Sequence, residues 1–330
     1  MRQLHYVIFF VCCLLTMGTA TAYATTTIAN NTTQQVMSLS PQAQISLLTS
    51  SPSDDDVYTV YGHTALRVLD TVLKIDAVFN YGMFDSTKPN FIFRFAKGET
   101  DYKLEFFNFK SYIVEYQMRG SEIYEQVLNL LPEEKEALWQ ALVLNTRPEN
   151  KIYRYNFFFD NCATRPIAII EKNIQGTVKY APLTENLTFR DVINYCTRNK
   201  PWQTFGCDLI MGIPTDRKMT LKETFFIPAY LKDAADKAEI VRDGTTVPLI
   251  SKVNILNEGV LQEEQTPFIT SPIACLGLFF IIVLLITWSE WRRVKHYRLV
   301  DCILFFVAGI AGCIMFFLND FFIKDIYLRY

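Results

Sequence analysis

Histidine is scarce in this chain, and so is charge. The 330 residues include three histidines, His5, His63 and His296, and no G-x-S-x-G motif. Since a catalytic zinc commonly takes about three His or carboxylate ligands, we predict no metal, and we also predict no cofactor. Only 20% of the residues are charged and the formal net charge is −2, which removes the electrostatic case for binding nucleic acid. Apolar residues are abundant instead, at 50%, and they concentrate at the two ends.

The N-terminus has the pattern of an export signal. Arg2 precedes an apolar run from Val7 to Gly18, and small residues follow up to Ala24. A short apolar run before an A-x-A site is typical of a cleaved signal peptide, so residues 1–24 are predicted to be removed after Ala22 or Ala24. The alternative is an uncleaved anchor helix, although the run is shorter than the ~20 residues that span a bilayer.

The C-terminus has the pattern of a membrane hairpin. Residues 268–288 and 299–318 are each long and apolar enough to span a bilayer. The loop 289–298 between them carries Arg292, Arg293, Lys295 and Arg298. Positively charged loops stay in the cytoplasm, so residues 25–267 and the tail 319–330 are predicted to be exported, in agreement with the signal peptide.

The exported part is predicted to hold one folded α+β domain. Residues 25–39 are rich in Thr, Asn and Gln and indicate a flexible leader, residues 40–230 form the domain, and the polar stretch 231–267 is a linker. Alternating hydrophobicity predicts strands, and Pro and acidic residues at a start predict helices. The main predictions are strands at His63–Leu69, Leu73–Tyr81, Phe91–Phe95, Tyr102–Phe107 and Gln126–Leu130, and helices at Pro132–Leu144 and Cys162–Asn173.

One histidine and one cysteine carry the chemical hypothesis. With this topology His63 is the only exported histidine, while Cys162 stands at the start of a predicted helix. Backbone N–H groups and the positive helix end stabilise a thiolate, so we expect a lowered thiol pKa and a reactive Cys162. The alternative is a buried structural thiol. A hairpin turning near residues 71–72 would place Asn80 opposite His63 to orient its ring, with Asp76 as a less direct choice.

The sequence indicates the roles of the remaining exported cysteines and of two arginines less specifically. Cys196 and Cys207 are predicted to form a disulfide in an oxidising compartment, which leaves Cys162 as the odd thiol. Arg165 and Arg67 are candidates for binding a lipid phosphate. The alternative for both is an ordinary ion pair at the protein surface.

Four motifs resemble those of the Lnb family of bacterial lipoprotein N-acyltransferases: Tyr61–Arg67, Phe79–Asp85, Pro89–Phe91 and Asn156–Arg165. The resemblance covers residues 40–320, and the membrane part is similar to the beginning of the family's multi-helix domain. It implies a permuted NlpC-like (papain-like) fold in which the histidine precedes the cysteine, placed in the periplasm and anchored in the inner membrane. It also implies transfer of an acyl chain from a phospholipid to the N-terminal amine of a diacylglyceryl lipoprotein. Tyr61 would assist at the oxyanion or simply pack.

Two other classes of function use the same residues differently. A membrane-tethered cysteine peptidase or amidase of the cell envelope would need the same dyad beside a polar groove. The run Phe157–Phe159 before Cys162 favours an apolar acyl channel instead, although such runs are more often plain core. The third possibility is an exported binding module with an inert, buried Cys162.

The topology has a direct test. A reporter fused after Arg293 should behave as cytoplasmic, and one fused after Tyr330 as exported, because the basic loop holds the hairpin in that orientation. An exported signal from the loop fusion would contradict both the hairpin and the placement of residues 25–267.

Overall fold

The computed structural model describes residues 37–84, 89, 94, 100–260, 266–294 and 296–327. The predicted signal peptide, the leader up to residue 36 and the strand predicted at Phe91–Phe95 (Arg94 apart) lie outside the described residues. Side chains beyond residue 316 are likewise outside them. The described chain combines a large antiparallel sheet with helices and ends in two apolar helices, which confirms the predicted α+β class.

The main sheet has seven strands in the order β10-β5-β1-β2-β3-β4-β6, all antiparallel. A smaller sheet has the order β7-β8-β9. The central strands β1 and β2 are covered on both faces, so most of their residues are buried, including the charged Arg67 and Asp70 of β2. The strands are β1 (Gln44–Ser50), β2 (His63–Asp70), β3 (Ile75–Met83), β4 (Asp101–Asn108), β5 (Ile123–Leu128), β6 (Ile152–Arg154), β7 (Thr177–Lys179), β8 (Glu239–Arg242), β9 (Thr245–Pro248) and β10 (Ile250–Asn257).

Helices pack on both faces of the main sheet. They are α1 (Phe109–Met118), α2 (Pro132–Asn145), α3 (Thr164–Asn173), α4 (Phe189–Thr197), α5 (Pro201–Ile210), α6 (Leu221–Thr224), α7 (Pro228–Asp236), α8 (Pro272–Arg293) and α9 (Arg298–Tyr327). The helix predicted at Pro132–Leu144 is confirmed as α2, and the predicted Cys162–Asn173 helix begins two residues later as α3.

The two faces of the sheet bury different clusters. Leu47, Leu66 and Leu104 belong to the main cluster, which α2 and α3 complete with Leu138 and Ile170. The opposite face packs on α1 through a smaller cluster that includes Ala65, Val78 and Tyr112. Because neighbouring residues of a strand point to opposite faces, β2 contributes to both clusters.

A third cluster lies away from the sheet and absorbs the Phe157–Phe159 run. Phe158 is buried against Phe189 and Phe226 at ring-centroid distances of 4.9 and 5.2 Å. Phe157 and Phe159 pack against the same cluster. The run is therefore core, and its interpretation as the lining of an acyl channel is not supported.

The predicted linker 231–267 is wrong over most of its length. Helix α7 and the hairpin β8–β9 fold against the domain, and β10 pairs with β5 in the main sheet. The Asp243-Gly244 pair is the turn of this hairpin, with both residues at positive φ (44° and 86°). After β10, the Val260 N–H donates to Gly120 O at 2.8 Å, so the chain is fixed to the domain as far as Val260.

The two C-terminal helices match the predicted spans. Pro272–Arg293 and Arg298–Phe316 have mean hydropathies of 2.4 and 2.5 and leave their side chains exposed. The first span starts four residues later than predicted, because Phe268–Thr270 is a separate short turn and Ser271 caps α8 by accepting from the Ala274 N–H. Length and composition suit a membrane hairpin.

Arg67 is a structural residue and not a phosphate ligand. Its guanidinium donates to both Asp76 oxygens at 2.8 and 2.9 Å and to Glu125 at 3.1 Å, and it stacks 3.5 Å from the Phe109 ring centroid. The Arg67 and Glu125 side chains are buried. The guanidinium is therefore occupied inside the domain by two carboxylates and a ring, and the predicted lipid contact at Arg67 is not supported.

Replacing Arg67 should therefore destabilise the fold. Arg67→Leu leaves Glu125 as a buried charge without its partner, and such losses typically cost about 3–5 kcal/mol. Thermal unfolding of the full chain in detergent measures the change. Arg154→Leu is the matched control, since Arg154 pairs with Asp101 on the surface and should cost under about 1 kcal/mol. Equal effects of the two changes would contradict the structural role.

Candidate active site

Two asparagines shape the loop that presents Cys162. Asn156 Oδ1 accepts from the N–H groups of Phe158 and Phe159 at 3.0 Å each. Asn161 Oδ1 accepts from the N–H groups of Ala163 (2.8 Å) and Thr164 (3.0 Å), satisfying donors at the start of α3. Cys162 is thus held between a capped turn and a capped helix.

Asn161 also anchors the loop to the rest of the domain. Its Nδ2 donates to Phe226 O at 2.7 Å and to Phe157 O at 2.9 Å. The roles of Asn156 and Asn161 were not among the predicted ones. The available signal was an Asn placed just before a predicted helix start, a position where its side chain commonly caps backbone donors.

The structure brings Cys162 to the end of the β2–β3 pair. A Cβ placed on Gly82 would lie 3.2 Å from the Cys162 Cβ, and Gly82 has φ +88°. The Cys162 sulfur also accepts from the backbone N–H of Thr64, the residue after His63. Since β2 begins at His63 and β3 ends at Met83, the thiol and the imidazole belong to the same end of the sheet.

His63 is hydrogen-bonded to Asn80, as predicted. Its Nε2 lies 3.1 Å from Asn80 Oδ1. An amide oxygen only accepts, so Nε2 carries the hydrogen in the neutral ring and Nδ1 is the basic nitrogen. Asp76, the less direct choice, is bound to Arg67 instead.

The strand register differs from the predicted one by two residues without moving this pair apart. Leu66 pairs with Phe79 and Asp70 with Ile75, so the turn holds four residues. Asp70 Oδ1 accepts from the N–H groups of Val72 and Leu73 at 3.0 Å each, and Lys74 closes the turn at φ 58°. A side chain as long as histidine still reaches Asn80 across the pair.

Burial keeps both members of the dyad neutral. It raises the pKa of the Cys162 thiol to about 11, although the N–H groups of Thr64 and Cys162 itself act in the opposite direction. It lowers the pKa of His63 to about 4, against the effect of the Asn80 hydrogen bond. The expectation that the helix start lowers the Cys162 pKa is therefore wrong, because desolvation of the thiolate outweighs the backbone donors.

Tyrosines form the wall behind Cys162. Tyr102 and Tyr155 stack with ring centroids 4.0 Å apart, and burial raises the pKa of Tyr102 to about 12 and that of Tyr155 well above its usual value. Tyr153 is also buried, with the Arg165 guanidinium 3.5 Å above its ring centroid. These aromatic side chains pack beside the thiol and contribute to its desolvation.

Tyr61 lies in the third cluster. Its ring packs edge-on against Phe157 at 5.1 Å, and its hydroxyl lies 3.8 Å from the Cys207 sulfur. The structure thus directs the hydroxyl toward Cys207, which supports packing over the predicted oxyanion role.

Cys196 and Cys207 are free thiols in the structure. The predicted disulfide is not formed; Cys196 lies on α4 and Cys207 on α5, and both pack against the third cluster. Cys162 is a free thiol as well, so it is not distinguished from them by being left over. Its distinction is its position at the strand end.

Arg165, the other predicted phosphate ligand, lies in a groove near the start of α3. It donates to both Asp160 oxygens, at 2.5 and 2.8 Å, and lines a groove of about 480 Å³ together with Lys172, Asn145 and Asn173. Within the described residues, no group of three His, Cys, Asp or Glu side chains is placed to hold a metal ion.

Comparison with protein families identifies the chain. Residues 31–195 match the Lnb N-terminal periplasmic domain and residues 262–322 match the Lnb transmembrane domain. The chain belongs to the Lnb family. This Lnb protein is a membrane protein with an exported, periplasmic domain and two apolar helices, and its membership fits a role in lipoprotein modification. No curated protein and no solved structure matches it.

The raised thiol pKa predicts how Cys162 reacts. With a pKa of about 11, roughly one thiol in ten thousand is ionised at pH 7, so alkylation by iodoacetamide should be slow and should accelerate nearly tenfold per pH unit from pH 7 to 9. Peptide mass spectrometry of the Cys162 peptide gives the rate. A rate that levels off below pH 8.5 would show a thiolate stabilised by the helix start and contradict the dominance of burial.

Proposed function

We propose that this Lnb protein is a membrane-anchored cysteine acyltransferase. It moves a fatty acyl chain from a phospholipid to the N-terminal cysteine amine of a bacterial diacylglyceryl lipoprotein, through a thioester on Cys162. The observation that carries the proposal is the position of Cys162 at the same strand end as the hydrogen-bonded His63–Asn80 pair. The order of histidine before cysteine fits the permuted NlpC-like arrangement that the resemblance implies.

The reaction has two steps, and His63 is the base in both. In the first, His63 Nδ1 takes the thiol proton as the Cys162 sulfur attacks the ester carbon of the phospholipid. The ester C–O bond breaks, the proton passes to the leaving oxygen, and a lysophospholipid departs. In the second, the lipoprotein amine attacks the thioester, His63 accepts the amine proton and returns it to the sulfur, and an amide is left. Asn80 holds the ring in the tautomer that both steps need.

The neutral dyad suits this cycle. A thiol that ionises only as it attacks does not react with other electrophiles in an oxidising compartment. The stacked rings of Tyr102 and Tyr155 beside Cys162 also limit the access of water to the thioester, which favours attack by the amine over hydrolysis. Backbone N–H groups at Thr64 and Cys162 supply donors for the developing oxyanion.

Arg165 is the proposed contact for the donor's phosphate. Its guanidinium is already oriented by Asp160 and by the Tyr153 ring, and Lys172 adds a second positive charge to the same groove. A cation held in place by neighbours binds a phosphate with less loss of side-chain entropy than a mobile one. The proposed partners are thus the phospholipid donor, the lipoprotein acceptor and the membrane itself.

The acyl-enzyme is the test. Purified protein incubated with phospholipid but no acceptor should gain the mass of one fatty acyl group on the Cys162 peptide, and neutral hydroxylamine should release it. Cys162→Ser should abolish transfer with little effect on folding, and His63→Ala should lower it by roughly 10²–10⁴-fold through loss of the base. Cys196→Ser is the matched control and should retain both the adduct and the transfer.

Two results would contradict the proposal. A Cys162→Ser variant that keeps transferase activity would show that the nucleophile is wrong. An adduct that forms with a peptidoglycan fragment and never with phospholipid would replace the acyltransferase by an envelope peptidase or amidase.

A further inference from the structure

Helix α5 has two chemically distinct faces. At roughly 100° per residue, Trp202, Phe205, Gly206 and Leu209 fall within one narrow sector of the helix. Trp202 and Leu209 are 49% and 41% exposed, and a Cβ on Gly206 would meet nothing within 4 Å. These four residues, together with Ile213, which lies just beyond the helix and is 86% exposed, are called the α5 stripe below.

The opposite face of α5 is bonded to the domain. Gln203 donates to Val57 O at 2.7 Å and Thr204 to Thr197 O at 2.9 Å. Cys207 touches the Tyr61 hydroxyl, and Asp208 accepts from Arg190 at 2.9 Å. The helix is therefore fixed in rotation, with its polar and small residues inward and its apolar stripe outward.

The depth of α5 is set by the membrane helices. The Trp202 indole N–H donates to Thr270 O at 2.6 Å, and Thr270 lies two residues before α8 begins at Pro272. Helix α5 also packs against both α8 and α9. The stripe consequently lies at the level where the apolar span starts, which is the depth at which tryptophan is enriched in membrane proteins.

We infer that α5 is an interfacial helix whose stripe rests on the phospholipids of the outer leaflet. The occupant is lipid because the stripe is continuous with α8 through Trp202 and Thr270, and because exposed Phe268 and Ile269 extend it toward the span. An amphipathic helix lying in the membrane plane buries its apolar side chains at the headgroup boundary. The inference depends on the topology and is independent of the acyl-transfer chemistry.

The position of α5 at the membrane surface constrains how far the candidate active site lies from the lipid. The Tyr61 hydroxyl touches Cys207 on the inner face of α5, and His63 follows two residues later. Lys200, which precedes α5, bonds to Asp54 at 2.9 Å and ties the loop before His63 to the same helix. The residues just before His63 are therefore held against the inner face of α5, about one helix diameter (~10–12 Å) from the lipid.

Depth-dependent fluorescence quenching tests the seating. The full chain is placed in phospholipid nanodiscs containing lipids spin-labelled either near the headgroup or deep in the acyl chain. Trp288→Phe and Trp291→Phe remove the tryptophans of α8, which leaves Trp202 and the distant Trp139. In a Trp202→Phe version of this background, Ile213→Trp reports on the stripe. Val72→Trp is the matched control, since Val72 is 56% exposed at the opposite end of β2.

We expect the quenching of Trp202 and of Ile213→Trp to be at least about twofold stronger than the quenching of Val72→Trp. We also expect the headgroup label to quench both more strongly than the deep label does. Two results would overturn the inference. Quenching no greater than at Val72→Trp would show that the domain stands clear of the lipid. Stronger quenching by the deep label would show that the stripe is inserted among the acyl chains instead of lying at the interface.

Discussion

The contact between Cys162 and Gly82 determines the geometry of the whole site. A side chain at position 82 would have its Cβ 3.2 Å from the Cys162 Cβ, so the cysteine loop would have to move away by a few tenths of an ångström. The positive φ of Gly82 adds a conformational reason for glycine. Around this contact the asparagine-capped turn, the start of α3 and the His63–Asn80 pair come into register.

Burial is the second determinant of the site, and it acts against the charges that the helix start would favour. The backbone donors near Cys162 stabilise a thiolate, but desolvation penalises it more, and the same desolvation weakens His63 as a resting base. A dyad in this state contains a neutral thiol and a neutral imidazole, not a thiolate–imidazolium ion pair. In the proposed reaction, a substrate brings an electrophilic carbon to the sulfur, so that charge develops and is dispersed within a single step.

Local patterns predicted the parts of the fold that depend on neighbouring residues. The β2–β3 hairpin, α2 and the His63–Asn80 pairing follow from alternation, from Pro132 with its acidic neighbours, and from strand geometry. The four-residue turn was not predictable in the same way, since it depends on Asp70 capping two N–H groups and on Lys74 tolerating positive φ.

Long-range features were missed for a different reason. The pairing of β10 with β5 joins residues far apart in sequence, and nothing within Ile250–Asn257 alone distinguishes an edge strand from a polar linker. The partners of Arg67, at Asp76 and Glu125, and the burial of Cys162 likewise depend on tertiary contacts. A sequence shows that a group can ionise, but its pKa depends on what covers it.

Because Val260 is hydrogen-bonded to Gly120, only a short segment connects the domain to the first membrane helix. Eleven residues, 261–271, separate Val260 from Pro272, where α8 begins, and even a fully extended chain of this length covers no more than about 43 Å. The domain therefore encounters its targets by lateral diffusion in a single layer. Molecules that share that layer, such as phospholipids and lipid-anchored proteins, meet it at the high effective concentration of a two-dimensional search, whereas molecules free in the periplasm do not.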